Sequence, residues 1–529
     1  MKKFGKGLCF ALAAGMIFPA TACGEGDGLT LKFFSWGNET EVELTRELVN
    51  KFNQTNEDGI TVEFTPIPSG DYEVKIDNAL RGRSAPDVFI AGDGEIKPWI
   101  EKGGIAELDE LAANSDKIVL EDMWQEGVNR YRYDIPSRRG GMGKLYGIMR
   151  DYSPTVIFYN KTAFEQVGVE CISLTEEQSI QTYGTAEAFF EKEGTYYFNN
   201  QIAMDWEQTL QLSQMLTSNT DAPVRNNLSP TKYGMYVINW FCFGWSVGGD
   251  CLEWIDDDSL ATGGKYEVSL FDEGKNYIVN EGNTVTVNGT EYAAGEIVSY
   301  QDKGALTADD KAKCTELPSQ LEAMQYFVDL SVKHKVSPKP DVTASSSNYG
   351  LFSSQQCAML IDSRYAVGIF RKTIADEGER DGFDWDVAPL PKHKDGIAAG
   401  HSGSLAYCIA EKSEKKEAAW KFIEYMAGAE GQTKFSEAGF TIPNTMSLSN
   451  SDTFLQPGKK PANSQIFVDA AYYQRTGDWG YLPSKSWINE WATDLNSAVL
   501  KGTMTLQQLK ADRLTSTQEI VDNYYGALQ

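Results

Sequence analysis

GKLYGIMRDYSPTVIFYNKTAFEQVGV, residues 143–169, is the stretch that decides the fold. Leu145, Tyr146 and Ile148 are apolar and favour an extended chain, and Asp151 with Ser153-Pro154 breaks that run before a second one, 155–159, begins. The pattern predicts two strands with a polar kink between them. Asn160 and Thr162 then offer helix caps ahead of Ala163, Phe164 and Val167 at helical spacing, and Gly168 closes the helix. A strand that crosses between two lobes and places its polar kink in the gap has this form; so does a strand, loop and strand inside one domain.

On the N-terminal side strand and helix alternate: strands at 30–36, 60–66 and 88–91, helices at 42–52 and 72–80. Such alternation marks an α/β fold with a mainly parallel sheet, and ligands of such sheets sit beyond the carboxyl ends of the strands. That places 36–39 and 92–95 beside a ligand. On the C-terminal side, 171–203 is polar and poorly patterned, 206–216 reads as a helix, and 230–264 is rich in aromatics and glycine. Residues 265–300 alternate Val, Thr and Tyr, with Asn283, Asn288-Gly289 and Gly295 at turn positions, which predicts antiparallel hairpins. Further helices are expected at 317–334, 365–375, 415–426, 430–438, 487–500 and 506–525, and a strand at 385–390.

The first twenty-two residues carry Lys2, Lys3 and Lys6, an apolar run from Leu8 to Phe18, then small residues up to Cys23, the layout of a secretory signal. The run is shorter than the ~20 residues a bilayer span needs. Ala20-Thr21-Ala22-Cys23 resembles the lipobox of bacterial lipoproteins, with Ala20 where Leu is usual, so lipidation is expected at Cys23 and a tether at 24–28. Loss of residues 1–22 removes three lysines and no acid, which moves the formal charge from −27 to −30. A body that acidic is repelled by nucleic-acid phosphates and by anionic lipid, leaving the lipid on Cys23 as the membrane attachment. Export permits disulfides, and Cys242 and Cys251 are close enough in sequence to pair, but a chain of this size builds a core without them. Three scattered histidines and no CxxC pair argue against a metal site, and no cofactor is expected.

The segment 145–169 resembles the strand, crossing and helix of the extracellular sugar-binding proteins of family 1 that serve ABC importers, the maltose-binding-like proteins. Collinear with it, LTLKFFSW (29–36) with 41–52 looks like the family's first strand and helix, and APDVFI (85–90) like its next strand. Tyr233-Gly234, Gly248-Gly249, FSSQQCAMLI (352–361), DVAPLP (386–391), AAWKFIEY (418–425) and GFTIP (439–443) continue the series. The resemblance implies a two-lobed, type II periplasmic-binding-protein-like fold, a cleft between lobes joined by three crossings, and 265–300 as an insertion. The crossings are expected near Asp151, Phe352 and 400–406, giving 29–151 with 358–403 as one lobe and 152–357 with 404–529 as the other. It further implies a monomeric lipoprotein on the outer face of the cytoplasmic membrane, which captures a carbohydrate by hinge closure and delivers it to ABC permease subunits. A sugar-sensing receptor subunit is the alternative within that class. The insertion is expected to be surface decoration, a lip over the cleft or a contact for the permease.

Sugar recognition needs flat apolar faces for C–H surfaces and planar hydrogen-bonding groups for hydroxyls. With 12 Trp and 25 Tyr the supply is ample, and most of them belong to cores. Position selects Trp36, Asn38, Glu39, Asp93, Arg364, Tyr365 and Ser402 on one side of the cleft, Trp240, Trp245 and Trp479 on the other, and Asp151 and Tyr152 at the crossing. Where the family reads Gly-x-Trp after its Ala-Met pair, this chain has Asp362-Ser363-Arg364-Tyr365, so a tyrosine stands in for the stacking ring and the family's ligand does not carry over.

An enzyme is the reading from another class. Gly400-His401-Ser402-Gly403-Ser404 begins like a nucleophile elbow, but its last position is Ser and an apolar run, LAYCIA, follows where the elbow requires a helix. Asp93 and Asp151 could form a hydrolase's carboxylate pair, yet acids in a cleft equally serve a sugar binder.

Overall fold

A computed structural model describes residues 29–526 except 83, 239 and 484. The signal segment, the tether and Cys23 lie outside the described residues. Two sheets organise the chain. The first runs, in spatial order, Ile60–Pro66, Leu29–Ser35, Val88–Gly92, Leu405–Ile409 and Ile148–Met149. Its first three strands are parallel and joined by helices, as the alternation requires, and Leu405–Ile409 is antiparallel to both of its neighbours. The second runs Tyr233–Val237, Cys357–Ser363, Ser153–Asn160, Gly400–Gly403 and Gln474–Arg475, with Trp385–Ala388 beside the far end of Ser153–Asn160. Every residue of Ser153–Asn160 is buried, which is why its sequence is one apolar run and not an alternation.

The stretch 143–169 is the crossing. Ile148–Met149 belongs to the first sheet and Ser153–Asn160 to the second, so the kink at Asp151 lies between lobes. Asn160 caps the helix Lys161–Gln166 by accepting from the Ala163 amide, and Gly168 follows at φ +81°.

The assignment of 358–403 to the first lobe is overturned by strand pairing. Met359 lies opposite Tyr159 and Val387 opposite Phe158, so these segments extend the sheet built on Ser153–Asn160. Conversely Leu405–Ile409 lies between two first-sheet strands, and the helix Lys416–Ala427 packs on it, so 404–529 is not wholly second lobe. CAMLI and LAYCI are apolar on both faces, and such a strand fits either sheet's interior equally well. The crossing near 400–406 is present at Ser404 but runs from the second lobe to the first, and none occurs near Phe352. The chain returns after the helix Asp452–Leu455, and Asn463 donates to the Asn200 carbonyl of the second lobe.

The hairpin region follows its turn signals. Thr284–Val287 and Thr290–Ala293 pair around Asn288-Gly289, both at positive φ as a tight hairpin turn demands. They carry a small core of their own, Val279, Val285, Val287, Tyr292, Val298 and Leu306. The irregular region extends beyond 265–300, since Leu252–Asp256 pairs with Gly264–Val268 and Asn276–Val279 with Cys314–Leu317. The six described cysteines, Cys242 and Cys251 among them, are free thiols. No described helix is long and apolar enough to cross a membrane.

Candidate functional site

Tyr233–Val237 and Cys357–Ser363 are parallel neighbours, and a cavity of about 430 Å³ opens beyond the carboxyl end of the first. Tyr236, Val237 and Ile238 form its floor, Trp240 and Phe241 one wall, and Trp487 and Trp491 another. The two tryptophans stand four apart on the helix Ser486–Asp494 and so share a face, with ring centres 6.2 Å apart. Trp491 meets Trp240 edge-on at 5.7 Å. Ser331, Ser337, Thr343 and Asn496 add neutral hydrogen-bonding groups, and among the described residues no charged side chain lines the cavity. The indole N–H groups of Trp487 and Trp491 are buried and find no acceptor among the described residues. Each such donor costs about 1–3 kcal/mol while it is left unmet. Aromatic faces and neutral polar groups suit an uncharged polyhydroxylated molecule.

Phe241 links this cavity to the gap between lobes, its ring 5.5 Å from that of His401. Around His401 the lobes touch. Arg130, fully buried, pairs with Asp93 at 3.4 Å within the first lobe and donates to the carbonyls of Ser402 and Arg475 in the second. The Thr476 amide donates to Glu126 at 2.7 Å, and Lys485 pairs with Glu95 at 3.2 Å. Burial raises the Asp93 carboxyl most, but Arg130, Lys97, His401 and Lys485 together outweigh it and hold the group below the usual carboxylate range. Burial, then Arg130, presses His401 down to about 4, and burial lowers Lys97 to about 8. Farther out, Tyr524 of the C-terminal helix donates to Glu101, and its carbonyl accepts from Arg138 at 2.6 Å. These contacts join the two lobes along one side.

The expected site residues separate into groups. Trp240 is on the cavity wall. Asp93 pairs with Arg130, which donates to the Ser402 carbonyl, while Ser402 and Tyr152 are themselves fully buried, Tyr152 stacked on Trp124 with Arg130 over its ring. Ser402 sits in a strand followed by another strand, a geometry that gives no elbow. Asn38 caps the helix Glu39–Thr55 and donates to the Tyr365 hydroxyl at 2.7 Å; with Glu39 these line a shallow groove of about 280 Å³, apart from the aromatic cavity. Asp151 is a buried strut, paired with Arg150 at 2.6 Å and accepting from the Leu405 amide. Trp36 is half-buried against the first core.

Two expectations are corrected. Trp245 does not face the cleft: it is fully buried beneath Phe241, because the short helix Cys242–Ser246 turns it inward. Arg364 is also fully buried, its guanidinium 4.9 Å from the rings of both Phe454 and Phe467, because it follows the end of a buried strand and not a first-lobe edge. The side chain of Trp479 lies outside the described residues. Sequence reasoning passed over Trp487, Trp491, Arg130, Glu41 and Arg150. For the tryptophans a signal existed, two indoles at helical spacing beside polar residues, whereas nothing local distinguishes the three charged residues.

The family model described as a bacterial extracellular solute-binding protein matches residues 47–462. Solved structures of similar shape include an ABC substrate-binding protein from Listeria monocytogenes in complex with cycloalternan, 17% identical with a TM-score of 0.62, covering 94% of this chain and 100% of that one. The cyclic alpha-maltosyl-1,6-maltose binding protein from Arthrobacter globiformis is 16% identical with a TM-score of 0.61, covering 94% and 99%. A sugar-binding protein from Xanthomonas citri is 17% identical with a TM-score of 0.60, covering 94% and 98%. At these identities the likeness is one of fold.

Proposed function

Since the chain belongs to the bacterial extracellular solute-binding protein family, we propose that it captures a sugar, specifically an oligosaccharide, and delivers it to the permease of an ABC importer. The observation that carries this reading is the aromatic cavity, lined among the described residues by neutral hydrogen-bonding groups and no charge, at the carboxyl end of a parallel strand pair. The cavity holds the terminal rings, and the rest of the saccharide runs past Phe241 towards His401 and the interlobe gap. A structural neighbour in complex with cycloalternan and another that is a cyclic alpha-maltosyl-1,6-maltose binding protein support this choice of ligand class.

The mechanism is a population shift. Arg130 contacts both lobes, so a ligand that spans the gap and binds the closed form better moves the equilibrium by that difference in affinity. The protein is exported, anchored through lipid on Cys23, and acts as a monomer whose closed form the permease recognises. A thermal-shift screen over a glycan panel tests the reading. A glycan at 100 times its dissociation constant adds about 2.7 kcal/mol of stability, and its affinity should fall in Trp487→Ala. If no glycan shifts the transition and charged solutes do, the reading fails.

A further inference from the structure

Arg364 follows the strand Cys357–Ser363, and its amide donates to the Pro154 carbonyl at the start of the second lobe's central strand. Its side chain is fully buried, and none of Nε, Nη1 or Nη2 finds a hydrogen-bond partner among the described residues. The charge that bears on it is another cation, Arg371, which opposes its ionisation after burial does. Arg371 donates from Nε to the Lys460 carbonyl and from Nη1 to Gln456, both at 2.6 Å, while its own Nη2 is buried without a partner. The two guanidinium groups border the same point: a side chain starting at Gly439 would begin 2.7 Å from Arg371 Nη1 and 3.9 Å from Arg364 Nη2. Nearby backbone acceptors are already engaged, since Gln456 donates to the carbonyls of Ser436 and Glu437 at 3.3 and 3.0 Å.

Arginine does not shed its proton in proteins, so the charge must be met. The rings of Phe454 and Phe467 meet part of it through their faces but accept nothing from the N–H edge. Water would satisfy donors without neutralising two adjacent like charges. From these observations we infer that a small monovalent inorganic anion, of the size and charge of chloride, binds between Arg364 and Arg371. The site ties the helix Ala366–Thr373 and the end of the helix Ala429–Ala438 to the helix Gln465–Ala471, on which Phe467 stands, and so braces the junction of the lobes.

Two measurements test it. Crystals grown without halide and soaked in sodium bromide should give an anomalous peak in contact with both guanidinium groups; a map with no peak there overturns the inference. In solution, sodium bromide should raise the melting temperature of the full chain by several degrees over sodium gluconate at equal ionic strength. Arg364→Met, which keeps the packing against both rings and removes the charge, should lose that halide response while staying folded. A variant that keeps the whole response overturns the inference. If Arg364→Met does not fold, the bromide map decides alone.

Discussion

Arg130 of the first lobe donates to the backbone carbonyl of Ser402 in the second, so one fully buried guanidinium belongs to both halves of the molecule. The contact joins the lobes beside the crossing at Ser404. Arg130→Met should therefore favour the open form and weaken sugar binding. A hydrogen bond to a charged group contributes about 1.5–3 kcal/mol, on the order of a tenfold to hundredfold loss of affinity. Calorimetry gives the affinity, and small-angle scattering should show a larger unliganded radius. An unchanged radius and affinity would remove Arg130 from the closing contact.

His401 gives the stability of the fold a dependence on pH. Its folded pKa of about 4 lies below the ordinary 6.5, because burial and then Arg130 disfavour the imidazolium. The unfolded chain binds the extra proton first, so this contribution is fully present above pH 6.5 and is lost as pH falls towards 4. Asp362 and Asp386, raised by burial to about 6, act with the opposite sign, being destabilising once ionised. The comparison must therefore be with His401→Asn, which leaves both acids in place. Relative to that variant, urea unfolding should show the wild type losing about 3 kcal/mol across the window. Parallel pH profiles would contradict the assignment.

The sequence-based reading succeeded where local chemistry repeats a known rule. The break at Asp151, the cap at Asn160 and the Asn288-Gly289 turn are properties of a few adjacent residues, and the structure keeps each of them. It failed where the deciding partner is distant. CAMLI and LAYCI each describe a buried strand, but only the pairing of Met359 with Tyr159 and of Ala406 with Met149 says which sheet holds which. The site residues divided in the same way. Position along the chain singled out Trp240, which lines the cavity, and Asp93, which pairs with Arg130, yet it could not reveal that Arg364 turns between two phenylalanines supplied about a hundred residues downstream.

The hinge carries a buried ionic group whose loss should unfold more than it opens. Arg150 lies between Asp151 at 2.6 Å and Glu41 at 3.4 Å, and all three side chains are buried. Glu41 also accepts from the Asn38 amide and the Tyr365 hydroxyl. Arg150→Met strands two carboxylates, and breaking a buried pair costs about 3–5 kcal/mol. Urea denaturation should find the loss, while Glu41→Gln, which keeps hydrogen-bonding capacity, should cost less.

Anchoring is tested apart from binding. Cys23→Ala should move the protein from the membrane fraction to the medium, because the lipid is the attachment proposed for an otherwise acidic body. Retention in the membrane fraction after signal removal would refute lipidation as the anchor.

The aromatic cavity makes the sharpest demand, because it separates residues that sequence position alone treats alike. Trp487 and Trp491 line it, their buried indole N–H groups without an acceptor among the described residues, Trp240 lines it edge-on to Trp491, and Trp245 is buried beneath Phe241 outside the lining. Replacing a stacked ring by alanine should cost on the order of 1–3 kcal/mol of binding, or roughly tenfold to a hundredfold in affinity. Trp245→Ala should instead leave a core cavity and cost about 3–5 kcal/mol of stability, with affinity measured on the folded fraction little changed. Trp487→Phe keeps the ring and removes the N–H, so it isolates the donor and should lose about 1–3 kcal/mol only if ligand oxygens accept from it. Calorimetry with the glycan returned by the screen, alongside urea unfolding of each variant, reads both axes. Trp487→Ala and Trp491→Ala binding like wild type while folded would place the sugar elsewhere, and the shallow groove at Asn38, Glu39 and Tyr365 would be the next surface to probe.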